Sequence, residues 1–445
     1  MNGSRWGRGV LVGLVLGCAG LSGCPAPQGD TGGGGQGGSG PGVASPSGSA
    51  ATPAQAGTAQ AADVDAAKAL LDGFGANAKY TLKPGSVLTE IAIQDGSVLS
   101  AENIALFGKL TDLEKLQIYN FRELNDDMAA QLAGLKNLTT LALTNSVIND
   151  PTVELIVKSF PKLVDLDLSS NVNLSNSVLK VICEITGLQR LTLVQNRFND
   201  LGTSHLSKLQ NLRALDLRGN MEAGDMTLEV VAALPKLTAL KHRSTAVSDF
   251  GIEYLAGSKT LDSLLLQDFV VTGQAGQSIA KIGSLTQLEI FRCQGFTSDG
   301  VLALKGMKLS RLTLRDLPAV DDSAMEVFTD LPELKRLYLH ELASISDNGL
   351  QNLGALKSLE LLDIWTLPQM TDAAVDVIAT LPKLKELSIR TTGVTDAAVD
   401  KLLAMPGLQS LTFKENGGVT EEGLKKLAGK KWAKLDVGSS GGETP

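Results

Sequence analysis

The sequence predicts an α/β solenoid, in which short strands and short helices alternate along a curved rod. Three observations carry this prediction. A pattern LxxLxL recurs every 24 or 25 residues, its last three residues alternate between apolar and polar, and a Ser/Thr-Asp pair opens a helical run before the next pattern. One strand and one short helix cannot bury their apolar faces alone, so such units must stack on their neighbours. We expect a horseshoe with a parallel β-sheet on its concave face and short helices on its convex face.

The repeat is clearest between residues 334 and 405, where three units follow one another. Their opening leucines are Leu334, Leu359 and Leu384, and the same frame extends both ways to give about 14 repeats, ending in a half-turn at Trp432. We therefore expect one repeat domain over residues 88–437. The other opening leucines are Leu88, Leu113, Leu138, Leu163, Leu188, Leu212, Leu237, Leu261, Leu285, Leu309 and Leu408.

The repeat that opens at Leu384 shows how one unit works. Leu387 and Ile389 alternate with polar residues, which is the period of a strand with one buried face. Thr395 or Asp396 is placed to accept hydrogen bonds from the free amides of the next turn, and a run with helical apolar spacing follows. The residues expected to face solvent are Lys385, Glu386, Ser388 and Arg390.

The first 24 residues predict export. Residues 1–23 combine two arginines, a short apolar run and small residues, which is typical of a secretory signal peptide. The run is too short for a transmembrane helix. The segment from Leu21 to Cys24 resembles a bacterial lipobox, and this resemblance implies cleavage before Cys24 and a lipid on its thiol. Cys18 is a weaker candidate, because its apolar run would be unusually short.

Three further segments flank the repeats. Residues 24–62 are rich in Gly, Ser, Pro and Ala, so they predict a disordered tether. Residues 63–87 predict an N-terminal cap, with a helix from Asp63 to Phe74 and a strand from Ala78 to Leu82, because the first repeat would otherwise expose its core. Residues 438–445 predict a disordered tail.

Composition excludes several classes of function. The 445-residue chain has a formal charge of −8, and loss of residues 1–23 with Arg5 and Arg8 would give −8 − 2 = −10. An acidic protein is a poor nucleic-acid binder. Cys183 and Cys293 lie five turns apart, roughly 24 Å at the usual strand spacing, which is too far for a disulfide. We expect neither a metal site nor a cofactor.

The loop and helix motif points to a known family. The segment Cys293-Gln-Gly-Phe-Thr-Ser-Asp-Gly-Val resembles the cysteine-containing subtype of leucine-rich repeats, known from F-box proteins and exported bacterial proteins. The resemblance covers residues 88–437 and implies a binding scaffold without naming a partner. The ninth position of a repeat, usually Asn or Cys, is Leu at three turns, where we expect tighter packing and fewer hydrogen bonds. It is Asn171, Asn196, Asn220, Cys293 and Asn416 in five turns, and Leu317, Leu342 and Leu367 in those three.

The chain shows no pattern of catalytic residues. None of its three histidines sits in a metalloprotease motif, a nucleophile elbow or a triad, so we expect no enzyme. The aspartates of the Ser/Thr-Asp pairs are explained by helix capping. His242 takes a sixth position that is otherwise apolar, which predicts a buried neutral histidine bonded to a backbone carbonyl, with a ligand or pH-switch role as the alternative.

The seventh position, the last outward residue of each strand, carries the functional signal. From Arg218 onward every member except Gln267 is basic or aromatic, and both types are enriched at binding hot spots. The candidate partner-binding residues are Arg218, Arg243, Phe291, Arg315, His340, Trp365, Arg390 and Lys414 of this column, with Arg336 and Tyr338 beside it. Alternatively, acids of the eighth position, Asp268, Asp316 and Glu341, neutralise a solvated face.

These observations favour an exported, lipid-anchored, non-catalytic scaffold that binds a protein or an anionic glycan on its concave face. Its membrane contact would be the lipid anchor alone. Two alternatives stay open. One is an intracellular ubiquitin-ligase adaptor of the F-box type, although residues 1–62 leave no room for an F-box domain. The other is a purely structural envelope protein.

Overall fold

The computed structural model describes the backbone of residues 53–438 and the side chains of residues 60–438. Sixteen strands form one sheet whose order follows the chain from β1 to β16. The pair β1 and β2 is antiparallel, and every later pair is parallel. A helix is wider than a strand, about 10 Å against 4.8 Å, so stacking one of each per repeat curves the rod toward its sheet. The predicted repeat solenoid is confirmed.

The strands and helices alternate throughout this region. The strands are β1 Ala78–Lys83, β2 Val87–Ile93, β3 Lys115–Ile118, β4 Thr140–Leu143, β5 Asp165–Asp167, β6 Arg190–Thr192, β7 Ala214–Asp216, β8 Ala239–Arg243, β9 Ser263–Gln267, β10 Gln287–Phe291, β11 Arg311–Arg315, β12 Arg336–His340, β13 Leu361–Leu367, β14 Glu386–Thr392, β15 Ser410–Lys414 and β16 Lys434–Gly438. The α-helices are α1 Pro53–Gly73, α2 Ala101–Gly108, α3 Asp126–Ala130, α4 Asp150–Ser159, α5 Ser177–Ile182, α6 Asp200–Thr203, α7 Asp225–Ala232, α8 Asp249–Leu255, α9 Gln274–Ile279, α10 Ser298–Leu302, α11 Asp347–Leu350, α12 Asp372–Ile378, α13 Asp396–Ala404 and α14 Glu421–Ala428. Short 3₁₀ helices cover Gly75–Asn77, Gly96–Val98, Gln131–Gly134, Ser204–Lys208, Asp322–Asp330 and Gln351–Ala355.

The leucine columns form one continuous core. Leu387 and Ile389 are buried, and their strand β14 aligns Leu387 with Leu362 of β13 and Leu411 of β15. Ser388, between the two, lies on the opposite side of the sheet and is half-buried. The predicted register is therefore correct, because a slip of one residue would exchange the two faces.

The N-terminal cap differs from the prediction at its start. Strand β1 closes the sheet as expected, but α1 begins at Pro53, so the last ten residues assigned to the tether, 53–62, are helical. The segment is rich in alanine, the strongest helix former. Gln60 Nε2 donates to Asp112 Oδ2 at 2.6 Å, which anchors this part of the helix to the first repeats. Residues 1–52 with Cys24, and the tail beyond Gly438, lie outside the described region.

The aspartates that open the helices connect one repeat to the next. Asp396 accepts hydrogen bonds from the backbone N–H of Thr420 at 2.9 Å and from its hydroxyl at 2.7 Å, and Asp372 does the same for Thr395. The Thr395 hydroxyl accepts from Ala397 N–H and caps its own helix. Both residues of the pair therefore act, the threonine within its repeat and the aspartate across the repeat boundary.

The ninth position closes the loops in two ways. Asn220 is fully buried and donates to the carbonyl oxygens of Leu193 and Leu217 at 2.7 and 2.9 Å, while its own oxygen accepts from Phe198 N–H. Leu342 takes the same position in a later turn and is equally buried, without polar side-chain atoms. The asparagine turns satisfy buried backbone groups, as buried polar groups require.

His242 is a packing residue, as predicted. It is fully buried, its Nε2 lies 2.8 Å from the Ala223 carbonyl oxygen, and its ring packs edge-on against Phe269. Burial lowers its pKa and outweighs the effect of the carbonyl, so the neutral imidazole is favoured. Burial also raises the pKa of Cys183 and Cys293 to about 12, which keeps both thiols protonated. Among the described helices, none is long and apolar enough to cross a membrane.

Candidate binding surface on the sheet face

Parallel pairing places the seventh-position side chains in one row. We call the outward side of the strands the sheet face, and strands β10 to β15 its C-terminal half. Phe291 of β10 pairs with Arg315 of β11, Arg315 with His340, His340 with Trp365, and Trp365 with Arg390. The predicted column is thus a physical row, with neighbours about 4.8 Å apart.

The basic residues of this row are held by acids. Arg315 Nε lies 2.8 Å from Glu341 Oε2, and Arg390 Nη2 lies 3.1 Å from Asp363 Oδ1. The cationic side chains therefore carry local counter-charges, as the solvated-face alternative expected. The remaining pairs of the row are Arg218 with Asp216, Arg243 with Asp268, and Lys414 with Asp436.

The same arginines also pack on aromatic rings. The guanidinium carbon of Arg315 lies 4.3 Å from the ring centre of Phe291 and 5.2 Å from that of Trp365. Arg390 approaches Trp365 from the next strand at 5.3 Å, and Arg292 approaches Phe291 at 4.5 Å. Arginines and aromatic rings are therefore interleaved in the row, and each of these arginines is fixed by a carboxylate and by a ring face.

His340 is largely buried within the row. Its side chain is 13% exposed, its ring meets Tyr338 and Trp365 edge-on at 6.0 and 5.8 Å, and its Nε2 lies 3.5 Å from Asp363 without forming a hydrogen bond. Burial opposes ionisation of Asp363, but its contact with His340 and the charge of Arg390 outweigh burial and lower its pKa. Asp363 is therefore the anion that two members of the row share.

The N-terminal part of the sheet face, on β3 to β6, has different chemistry. The row there continues through Tyr119, Thr144, Ser169 and Val194, which are mostly small. Asp167 accepts hydrogen bonds from the amide and hydroxyl of Ser169, yet burial raises its pKa to about 6, since the described residues give it no cation partner. Cations and aromatic rings do not alternate here.

Sequence reasoning missed three contributors to the surface. Arg292 and Asp363 each contact members of the row, and Arg311 packs over Tyr338 at 4.8 Å. Arg292 and Glu341 occupy the eighth position with φ of 52° and 55°, a left-handed turn that carries the chain off the strand. Asp363 could have been found from the sequence, because it takes the fifth position of its repeat and Arg390 lies on the adjacent strand. The long side chain of Arg390 can reach Asp363 diagonally across the two strands.

Comparison with solved structures agrees with the architecture. A chain of the crystal structure of the Rad7 and Elc1 complex in yeast is similar at a TM-score of 0.54, with 16% identity over 86% of this chain and 94% of that chain. The fold is a leucine-rich repeat solenoid. An internalin, InlF, from Listeria monocytogenes is similar at a TM-score of 0.48, with 18% identity over 84% of this chain and 94% of that chain. No protein-family model matches the sequence.

Proposed function

We propose that the chain is an exported, lipid-anchored leucine-rich repeat protein, without catalytic activity, that binds a protein partner through the C-terminal half of its sheet face. The observation that carries this proposal is the row from Phe291 to Arg390, in which two arginines and three aromatic rings lie side by side in one register. Residues of these types dominate binding hot spots. Their ion pairs and ring contacts hold them in place before binding, which lowers the entropy cost of association.

The ring contacts favour a protein partner over a glycan. A sugar would need an open aromatic face on which to stack, but the guanidinium groups of Arg315, two strands away, and Arg390, on the next strand, already lie over the Trp365 ring. Arg292 and Arg315 cover Phe291 in the same way. The paired carboxylates also reduce the attraction for a polyanion. Rad7, whose complex contains a chain of similar fold, is crystallised with a second protein, which supports the same choice.

The leader supports the exported, anchored state. A short apolar run with two arginines precedes Cys24 and small residues stand directly before it. We expect mass spectrometry of the membrane fraction to find a mature N-terminus at an acylated Cys24. Cys24→Ala should release the protein or leave it unprocessed, whereas Cys18→Ala should change neither outcome. An unmodified, soluble product that starts elsewhere would contradict lipid anchoring without touching the binding proposal.

A pull-down from envelope extract tests the binding proposal. Trp365→Ala removes the ring between Arg315 and Arg390 and should weaken partner capture by about 2 kcal/mol, the usual cost of a hot-spot residue. Val194→Ala, in the same row of the N-terminal part, is the matched control and should bind as the wild type does. Equal capture by wild type and Trp365→Ala would place recognition on the loops or helices, and failure to capture any partner would favour the purely structural alternative.

A further inference from the structure

Two arginines of the sheet face differ from all the others. Arg218, Arg243, Arg292, Arg315 and Arg390 each contact a carboxylate within ion-pair distance. Arg311 and Arg336 have no carboxylate at that distance anywhere in the part of the chain that the structure describes. Their guanidinium groups are therefore positive charges without a carboxylate partner, on a surface where these five other arginines are paired.

The strand register places these two positive charges next to each other, where they repel. Arg311 of β11 and Arg336 of β12 are direct partners in the parallel ladder, so their side chains leave adjacent strands on the same side of the sheet. Like charges placed directly opposite each other are destabilising. The fold also keeps Arg311 in position, because its guanidinium carbon lies 4.8 Å from the ring centre of Tyr338. Arg336 is exposed.

From this geometry we infer that Arg311 and Arg336 bind carboxylate side chains of an acidic peptide segment in the protein partner. The inference rests on the proposed function and names the chemistry of the partner. Two guanidinium groups on neighbouring strands each offer a fork of N–H donors, which carboxylates accept in bidentate form. An incoming carboxylate also relieves the repulsion between the two arginines.

A line of rings connects this pair to the row. Tyr338 lies beside Arg311, His340 follows at 6.0 Å from Tyr338, and Trp365 follows at 5.8 Å from His340. Arg336 and His340 are four residues apart in β12, about 13 Å at the usual strand rise. An extended segment of about four residues that places its acids on the arginine pair can therefore reach as far as the central residues of the row.

The probe is a fluorescein-labelled peptide (Glu-Gly)4, measured by fluorescence anisotropy at low salt, with (Gln-Gly)4 as the uncharged control peptide. The variants are Arg311→Gln, Arg336→Gln and the double variant. Arg213→Gln, which removes the exposed arginine directly before β7, is the matched control. Urea unfolding of each variant checks the fold. Arg336→Gln should not lower the midpoint, since it removes a like-charge contact, and Arg311→Gln should change it little, since it also removes the contact with the Tyr338 ring.

We expect (Glu-Gly)4 to bind the wild type and Arg213→Gln equally, to bind the double variant at least about tenfold more weakly, and to lose affinity as salt rises. We expect (Gln-Gly)4 not to bind. Absence of (Glu-Gly)4 binding to the wild type, or equal binding to the double variant, would overturn the inference. Binding of polygalacturonate through the two arginines, without binding of the peptide, would overturn the assignment to a peptide.

These outcomes separate the inference from the proposed function. Partner capture that depends on Trp365 but not on the arginine pair would support the proposed function and overturn the inference of an acidic segment in the partner. Capture that depends on neither would overturn both the proposed function and the inference. Capture that depends on both, with (Glu-Gly)4 competing for the wild type but not for the double variant, supports both.

Discussion

The two ends of the sheet face share a backbone and differ in what that backbone displays. On β3 to β6 the seventh position holds Tyr119, Thr144, Ser169 and Val194, and on β10 to β14 it holds Phe291, Arg315, His340, Trp365 and Arg390. Strand pairing is parallel and in register at both ends. The inward leucines are buried equally at both ends. The scaffold is therefore uniform, while the surface is specified locally by outward residues that the fold does not constrain.

This contrast indicates where recognition is expected in a repeat protein whose sequence shows no pattern of catalytic residues. A surface of small residues, such as Thr144 and Ser169, offers little that a partner can bury. The opposite end displays rings and guanidinium groups that are already ordered by Glu341 and Asp363. Such an ordered, ring-rich patch has the composition of an interface core. Variants at matched positions of the two ends can show whether they share a scaffold and differ in surface.

The largest expected effect concerns the shared scaffold. Leu191→Ala in β6 and Leu387→Ala in β14 each open a cavity in the packed core, so each should lower the free energy of unfolding by roughly 2 to 5 kcal/mol. Thr192→Ala and Ser388→Ala, on the outward side beside them, should cost far less. Urea unfolding measures all four. A large loss at only one end would show that the two ends do not share one core.

A smaller effect should separate the two kinds of loop. Asn220→Leu removes the partners of two buried carbonyls and one buried N–H, and each unsatisfied group should cost roughly 1 to 3 kcal/mol. Leu342→Asn, the reverse change in the C-terminal half, should also destabilise, because it buries an amide in an apolar loop. If urea unfolding finds both changes neutral, the ninth position does not close the loops in two distinct ways.

The smallest effect should appear at Asp167, on the N-terminal part. Its folded pKa, about 6, is above the unfolded value near 4, so the folded state holds more protons between these pH values and stability falls as pH rises through that window. Asp167→Asn keeps an oxygen to accept from Ser169 and removes this penalty. The variant should have a higher urea midpoint than wild type at pH 7, with the difference vanishing below about pH 4.

The control for this change is Asp165→Asn, two residues earlier in the same strand β5. It loses the ion pair with Arg190 and should gain no stability at pH 7. Equal pH profiles for wild type and Asp167→Asn would mean that solvent or a partner group relieves the burial of Asp167, and the contrast in charge between the two ends would then be weaker than the structure indicates.

Much of the fold follows from the sequence because the repeat fixes every position relative to its neighbours. The strand register, the inward leucines, the closing strand β1 and the buried His242 could all be predicted from one period. The start of α1 could not be predicted, because a stretch of alanine and other small residues is compatible with both a tether and a helix. The hydrogen bond from Gln60 to Asp112, which anchors the helix, is not visible in the sequence.

The candidate surface could be predicted only in part. Its column was visible in the sequence, but the ion pairs depend on how far a long side chain reaches across strands. Arg390 of β14 forms its ion pair with Asp363 of the adjacent strand β13. Asp316, which was expected to neutralise the row, has no ion pair among the described residues. The unpaired state of Arg311 and Arg336 is likewise a property of side-chain placement. The sequence pattern of one strand does not determine with which carboxylates on the neighbouring strands these charged side chains pair.

Photo-crosslinking in the cell tests the claim that a partner binds the C-terminal half of the sheet face. A benzophenone amino acid would replace Thr412 on β15, Thr192 on β6 or the exposed Gln351 on the helix side, one at a time. We predict a partner adduct at Thr412 that Trp365→Ala abolishes, and none at the other two positions. An adduct at Thr192 or Gln351 with none at Thr412 would contradict the claim.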